Sequence, residues 1–153
     1  MKQKRSKYKV DTTDKGKSKR TVDGILFDSE LEAKYYQQVI LPAIANAEIS
    51  DCTFHPKYML QDSYIKFNQK NRPIYYVADF EITYADGDIK IIDIKGMATE
   101  TALLKRKWFD RKYDDKILEW LCYSKQDGGW IGYDELIKLR SKRRKEKSVE
   151  VKV

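Results

Sequence analysis

The residues of this 153-residue chain whose types and spacing could do chemistry lie in positions 75–96, which read YYVADFEITYADGDIKIIDIKG. Asp79 and Asp93 sit inside two strand-like runs, and Lys95 follows the second acid by two positions. Burying part of a carboxylate is costly unless a cation, a metal or hydrogen bonds compensate. Alternate residues of a strand face the same side, so Asp93 and Lys95 project together while Ile92 and Ile94 face the other layer. A carboxylate that ligates Mg²⁺ beside a lysine on that face can place a water for in-line attack on a phosphodiester. An Asp-x-Lys triplet alone is a weak signal in a charged protein. An acidic strand before it at hairpin spacing, and Ser-x-x-Glu on a first helix, strengthen it.

Asp79 joins Asp93 on one face only under a condition on the turn. With a two-residue loop, Asp86-Gly87, Ala85 pairs with Asp88, Asp79 falls opposite Ile94, and its carboxylate points to the wrong side. A three-residue loop over 85–87, with Gly87 left-handed in a G1 bulge, pairs Tyr84 with Asp88 and Asp79 with Asp93. The second turn is the one expected.

The elements that must position these residues follow from periodicity and punctuation. Ser29 followed by Glu32 is a capping-box pattern, with Phe27 placed to act as a staple. Leu31, Tyr35 and Val39 continue at helical spacing, and Pro42 limits that helix to about residue 41, with a short further turn through Ala47. Residues 52–60 read as a first strand with Pro56 at an edge or bulge, and 61–72 as a polar loop that Tyr64, Ile65 and Phe67 could shorten by extending the strand. Residues 74–84 and 88–95 form the hairpin, 101–113 a second helix, 117–123 a fourth strand, 126–132 a glycine-rich turn, and 133–144 a terminal helix. Helix, three antiparallel strands, helix, strand is a compact α/β arrangement.

Hydrophobic residues make up 41% and charged residues 36% of the chain, which fits one domain with a core and a highly charged surface. The net charge of +7 is unevenly placed. Residues 1–20 carry nine Lys/Arg against two acids and 141–153 six against two, leaving 21–140 with 16 basic and 20 acidic side chains. The expected organisation is a loose basic arm over 1–20, a folded domain over 21–140 and a basic tail over 141–153. Such ends suit a polyanion, because each neutralised phosphate releases counterions; solubilising tails are the plainer alternative. Neither end has the apolar face of a membrane-surface helix, no run is long enough to span a bilayer, and Met1 is followed by no secretory segment. A cytoplasmic protein is the default. Cys52 and Cys122 lack zinc-site spacing and read as reduced core residues. His55, the single histidine, rules out multi-histidine metal sites and is either a water-orienting residue near the site or an ordinary strand residue.

The sequence resembles the PD-(D/E)XK nuclease superfamily, and within it the phage-encoded junction-resolving enzymes of the endonuclease I type. The likeness covers residues 22–124. Phe27-Asp28-Ser29-Glu30-Leu31-Glu32 is similar to that group's Phe-x-Ser-x-x-Glu helix start, Ala78-Asp79-Phe80 to its Pro-Asp-Phe strand, and Asp93-Ile94-Lys95-Gly96 to its acid-x-Lys-Gly strand. Ala78 stands where the group has proline and Asp93 where it usually has glutamate; the shorter Asp93 side chain alters the reach to a metal. The resemblance implies a restriction-endonuclease-like αβββαβ core with a mixed, mainly antiparallel sheet flanked by helices. It implies that Asp79, Asp93, the backbone carbonyl of Ile94 and Glu32 ligate Mg²⁺, with Mn²⁺ able to substitute, and that Lys95 is the catalytic lysine. No organic cofactor is expected.

The expected function is therefore a metal-dependent endodeoxyribonuclease acting on branched DNA such as Holliday junctions, in phage recombination or DNA processing within the bacterial host. Two coordinated cuts at a four-way junction imply a C2 homodimer. A linear-duplex nuclease and a non-catalytic DNA-binding accessory are the alternatives. Glu32 has a structural reading, as the reciprocal cap of Ser29. Glu30 reads as a first-turn charge favoured by the helix dipole, Glu81 as a lower-ranked ligand on the Asp79 face, and Asp86 and Asp88 as turn formers. Lys105, Lys107 and Arg111 follow the catalytic strand closely and are candidate DNA contacts, with a solvated helix face as the other reading.

Overall fold

The computed structural model describes residues 10–150. Along the chain, helix α1 (Asp14–Lys19) precedes a small β1–β2 hairpin (Thr21–Val22 and Ile25–Leu26), and α2 (Glu30–Tyr35) runs through a π-turn (Tyr36–Ile40) into α3 (Leu41–Ala45). Strands β3 (Ile49–Phe54), β4 (Lys57–Gln61), β5 (Tyr64–Lys66), β6 (Gln69–Asn71), β7 (Ile74–Val77), β8 (Phe80–Tyr84) and β9 (Ile89–Ile94) follow. Helix α4 (Glu100–Lys112) leads to β10 (Leu118–Ser124), β11 (Gly129–Gly132) and helix α5 (Tyr133–Glu150). A five-stranded sheet, in the order β11-β10-β9-β8-β3, is the frame. Only β9 and β10 pair in parallel, as α4 crosses over between them. The molecule is thus mixed α/β, with a mixed, mainly antiparallel sheet flanked by helices, and the expected order of helix, three strands, helix, strand is present. Among the described residues no helix is long and apolar enough to cross a membrane.

Alternation along the strands divides the core between two layers. Ile82, Ile92 and Ile94 pack with Phe27, Ala33, Tyr35, Tyr36 and Ile40 from the α2 side, whereas Ile91 packs with Phe109 of α4 and with Tyr58, Tyr76 and Ala78. Phe27, Ile40, Phe80 and Phe109 are each at most 1% exposed, and burying an aromatic or aliphatic side chain of this size contributes roughly 2–3 kcal/mol.

The turn between β8 and β9 is the three-residue one. Tyr84 N–H donates to Asp88 at 2.8 Å, Gly87 N–H donates to Tyr84 at 3.0 Å, and Gly87 has φ +93°. Phe80 pairs with Ile92 and Thr83 with Ile89. The ladder ends there: Asp79 lies just before β8, and its N–H donates to the Ile92 carbonyl at 3.0 Å, so the expected pairing of Asp79 with Asp93 is not part of the register.

Several boundaries differ from expectation. Residues 10–20 are not a loose arm: α1 is capped by Thr13, and Arg20, 8% exposed, donates to the Phe27 carbonyl at 2.6 Å and to that of Asp11 at 3.2 Å. The remainder of that arm, residues 1–9, lies outside the described residues. Pro42 does not end the first helix. Proline lacks an N–H and crowds the carbonyl four residues back, and the wider π-turn, closed by Leu41 N–H on the Tyr36 carbonyl, absorbs the misfit. The expected strand over 52–60 breaks at His55 (φ +50°) and Pro56, and the strand over 74–84 breaks at Ala78-Asp79. Between the breaks β4 and β7 pair with each other as a ribbon outside the main sheet. The loop expected over 61–72 is a hairpin, β5–β6, and the glycine-rich turn contains β11, which pairs with β10. Helix α5 continues past residue 144 to Glu150.

Candidate active site

Strand β9 carries the most tightly held acid. Asp93 is 4% exposed, and its Oδ2 lies 2.8 Å from Lys95 Nζ, the residue two positions on and therefore on the same face. The Tyr76 hydroxyl donates to the same oxygen, and Trp120 Nε1 donates to the Tyr76 hydroxyl at 2.6 Å. The Lys95 ammonium also lies 4.8 Å from the centre of the Trp120 ring, a favourable distance for a cation over an indole. Residues from β7, β9 and β10 thus converge on one carboxylate. Burial and the Asp93 charge raise the Tyr76 phenol far above its ordinary range, so it remains a donor.

Asp79 lies where β7 turns out of the sheet and β8 begins. Its Oδ2 accepts from the Ile94 backbone N–H at 2.6 Å. Both backbone groups of a strand residue point to the same neighbour, so the Ile94 carbonyl also opens on the Asp79 side, beyond the start of β8. Burial, then the charges of Asp93 and Glu32, push the Asp79 carboxyl up to about 9; the Ile94 N–H and Lys95 oppose this incompletely. Two other acids, Asp93 and Glu32, therefore act on Asp79.

Glu32 arrives from α2. Ser29 caps the helix by accepting from Glu32 N–H at 3.1 Å, and its hydroxyl donates to Glu32 Oε1 at 2.7 Å. The other oxygen, Oε2, is buried and has no hydrogen-bond partner. The cap thus engages Oε1 and leaves Oε2 outside it. Burial raises the Glu32 pKa, with the Ser29 hydrogen bond opposing and Asp28 adding to the rise. His55 Nε2 lies 3.6 Å from Glu32 Oε2 and 3.8 Å from Asp28 Oδ2. Among the described residues, Asp28, Glu32 and His55 offer ligand atoms that all lie within 4.8 Å of one another, a grouping able to hold a metal ion. Asp79 and Asp93 stand outside that tight group. His55 is tied to Asp79 through its backbone, its N–H donating to the Asp79 carbonyl at 3.0 Å.

Asp93 and Lys95 are therefore in direct contact, Asp79 is held by the intervening Ile94 N–H, and Glu32 acts on Asp79 by charge while it groups with Asp28 and His55. Glu81 is engaged by the Tyr58 hydroxyl. Glu30 is an exposed charge 4.0 Å from Lys19, and Asp86 Oδ1 accepts from Asp88 N–H at 3.0 Å, as a turn former does. Lys105 is occupied structurally, donating to the Tyr75 carbonyl at 2.8 Å, whereas Lys107 and Arg111 are exposed. Both cysteines are free, and burial raises their thiols, that of Cys52 to about 11. Nothing in their spacing marks Tyr76 and Trp120 as supports of Asp93. Asp28 and His55 were in view only as a motif neighbour and a lone histidine, and the backbone break at His55 is what brings them to Glu32.

A family model described as a protein of unknown function, DUF1064, matches residues 5–128. The chain belongs to the DUF1064 family. The DUF1064 match contains every residue of the site from Asp28 to Trp120 and ends at Gly128, ahead of β11 and α5. No curated protein and no solved structure matches the chain.

Proposed function

We propose that this DUF1064 protein is a Mg²⁺-dependent endodeoxyribonuclease that hydrolyses phosphodiesters in branched DNA, in recombination or processing of phage DNA in the host cytoplasm. The observation that carries the reading is the charge balance of the site: Glu32, Asp79 and Asp93 are brought to one end of the sheet with Lys95 as the adjoining cation. Burial, and then the charges of Asp93 and Glu32, raise the Asp79 pKa, and a further positive charge there would lower it.

The residues present fit a divalent cation. Glu32 Oε2 is buried without a hydrogen-bond partner, and burial, then the charges of Asp93 and Glu32, raise the Asp79 pKa against the Ile94 N–H that it accepts from. Asp79, Asp93, Glu32 and the Ile94 carbonyl would hold the ion, which when bound supplies charge stabilisation at the phosphoryl group and a more acidic water. Lys95, fixed by Asp93 and Trp120, orients the attacking water and offsets charge that develops on the phosphate. Tyr76 and Trp120 keep Asp93 from rotating away. Ser29 holds one oxygen of Glu32 and leaves the other free of hydrogen bonds, 3.6 Å from His55 Nε2. Paired cuts at a four-way junction require two such sites, and hence a C2 homodimer.

The test is a substrate panel with the full chain and Mg²⁺: a four-way junction, a linear duplex of matched sequence and a single strand, each repeated with EDTA and with Asp93→Asn. Symmetric cuts in the junction that need Mg²⁺ and Asp93 support the reading. Equal cutting of duplex and junction removes the branched-DNA claim, and binding without cutting removes the enzyme.

A further inference from the structure

The β5–β6 hairpin takes no part in the chemistry above. Tyr64 pairs with Asn71, Ile65 with Lys70 and Lys66 with Gln69, which leaves Phe67 and Asn68 as a two-residue loop. Both loop residues have positive φ, +49° and +60°, the backbone sign of a type I′ turn, where asparagine and glycine are favoured. Phenylalanine suits that position poorly, since its Cβ crowds the backbone in the left-handed region. Nor does packing compensate, because Phe67 is 90% exposed. Ile65 is 73% exposed; Lys66 adjoins the tip with its Nζ 5.6 Å from the Phe67 ring centre, Lys70 pairs with Ile65, and exposed Arg72 follows at the foot of the ribbon.

The ribbon is rooted beside the site. Strand β6 leads through Arg72 and Pro73 into β7, and β7 leads through Ala78 to Asp79. Helix α4 fastens the base: Lys105 donates to the Tyr75 carbonyl at 2.8 Å and the Tyr113 hydroxyl to the Met59 carbonyl at 2.8 Å. The twelve residues from Phe67 to Asp79 reach at most about 40 Å.

We propose that the hairpin is a wedge for branched DNA, in which Phe67 stacks on a base at the branch point while Lys66, Lys70 and Arg72 hold the adjoining phosphates. The inference rests on the branched-DNA reading and names what recognises the branch. A flat ring offered to solvent among ammonium and guanidinium groups matches a base flanked by phosphates. A second copy of the chain is the poorer occupant, because the exposed apolar side chains alternate with lysine, asparagine and glutamine instead of forming the contiguous apolar surface of a protein interface. Bases at a branch are already partly unstacked, so inserting a ring costs less there than within a duplex.

The test uses the full chain in EDTA with a four-way junction carrying 2-aminopurine beside the branch point, and a matched linear duplex. The variants are Phe67→Asn and Phe67→Trp. Asparagine suits the turn, so Phe67→Asn keeps or raises the melting temperature. It is expected to lose the 2-aminopurine emission change and to weaken junction binding about tenfold, with duplex affinity within about twofold of wild type. Phe67→Trp is expected to keep both the emission change and the affinity. The wedge is overturned if Phe67→Asn binds and perturbs the branch as the wild type does, or if it converts a dimer to a monomer in sedimentation, which would assign the tip to a second copy. A wild type that perturbs the branch yet never cuts with Mg²⁺ overturns the nuclease reading and leaves the wedge standing. Junction cutting by the wild type alongside an unaffected Phe67→Asn does the reverse, and a wild type that binds no junction overturns both.

Discussion

Asp79 sets how the site responds to pH. Its carboxyl has a reference value of 3.8 and is pushed up to about 9 in the folded protein, first by burial and then by Asp93 and Glu32. Between these values the folded state keeps a proton that the unfolded chain has released, so stability without metal falls as pH rises through that window. A divalent ion favours the carboxylate and opposes the fall. Thermal melts without metal should therefore drop between about pH 5 and pH 8, and Mn²⁺ should raise the melting temperature more at the higher pH. Asp79→Asn removes the titrating group, and is expected to flatten the pH slope and abolish most of the Mn²⁺ shift. A variant that retained both would remove Asp79 from the site. The contact of Asp93 with Lys95 and the Ser29 cap on the Glu32 helix were legible in the sequence, because a period of two and a capping pattern place them without reference to the rest of the fold. Tyr76 was not, and for His55 the sequence leaves open a water-orienting residue or an ordinary strand one, since a strand tyrosine and a lone histidine acquire their partners only when the β4–β7 ribbon leaves the sheet.

At the scale of elements, the β8–β9 turn carries the geometry. Gly87 has φ +93° and an added Cβ would meet nothing within 4 Å, so Gly87→Ala tests backbone conformation alone. The substitution should cost about 1 kcal/mol and lower the melting temperature by about 3 °C. If the register is retained, cutting should remain near the wild-type rate; a large loss with an intact fold would show that the turn had slipped and carried Asp79 away from Asp93. This turn could be anticipated because Asp86-Gly87 is a strong local signal and one choice of loop length aligned the acids. Splitting of the strands at His55 and Ala78 could not, because it depends on which strand each half finds as a partner. The π-turn before Pro42 has a similar cause: tertiary packing of Tyr36 and Ile40 holds the helix together across a residue that ordinarily ends one.

For the whole molecule, the uneven charge gives the surface a direction. Residues 21–140 carry an acidic excess of four, whereas α5 presents Arg140, Arg144 and Lys147 as exposed cations beyond the ion pair of Arg143 with Asp127. These three line a surface cavity of about 340 Å³ with Ser124 and Gln126. Replacing Arg140, Arg144 and Lys147 together by Gln should leave the fold intact and reduce the slope of log affinity against log salt by up to about three for duplex and junction alike. An unchanged slope would place the phosphate contacts elsewhere.

The central claim, that the acids and Lys95 form a hydrolytic centre for DNA, meets its most direct test in single-turnover cutting of a four-way junction with Mg²⁺ by wild type and Lys95→Ala. Lys95→Ala keeps the carboxylates and should retain the Mn²⁺-dependent rise in melting temperature while cutting at least about 100-fold more slowly. Cutting by Lys95→Ala at close to the wild-type rate, or a wild type that cuts no DNA with Mg²⁺, would contradict it.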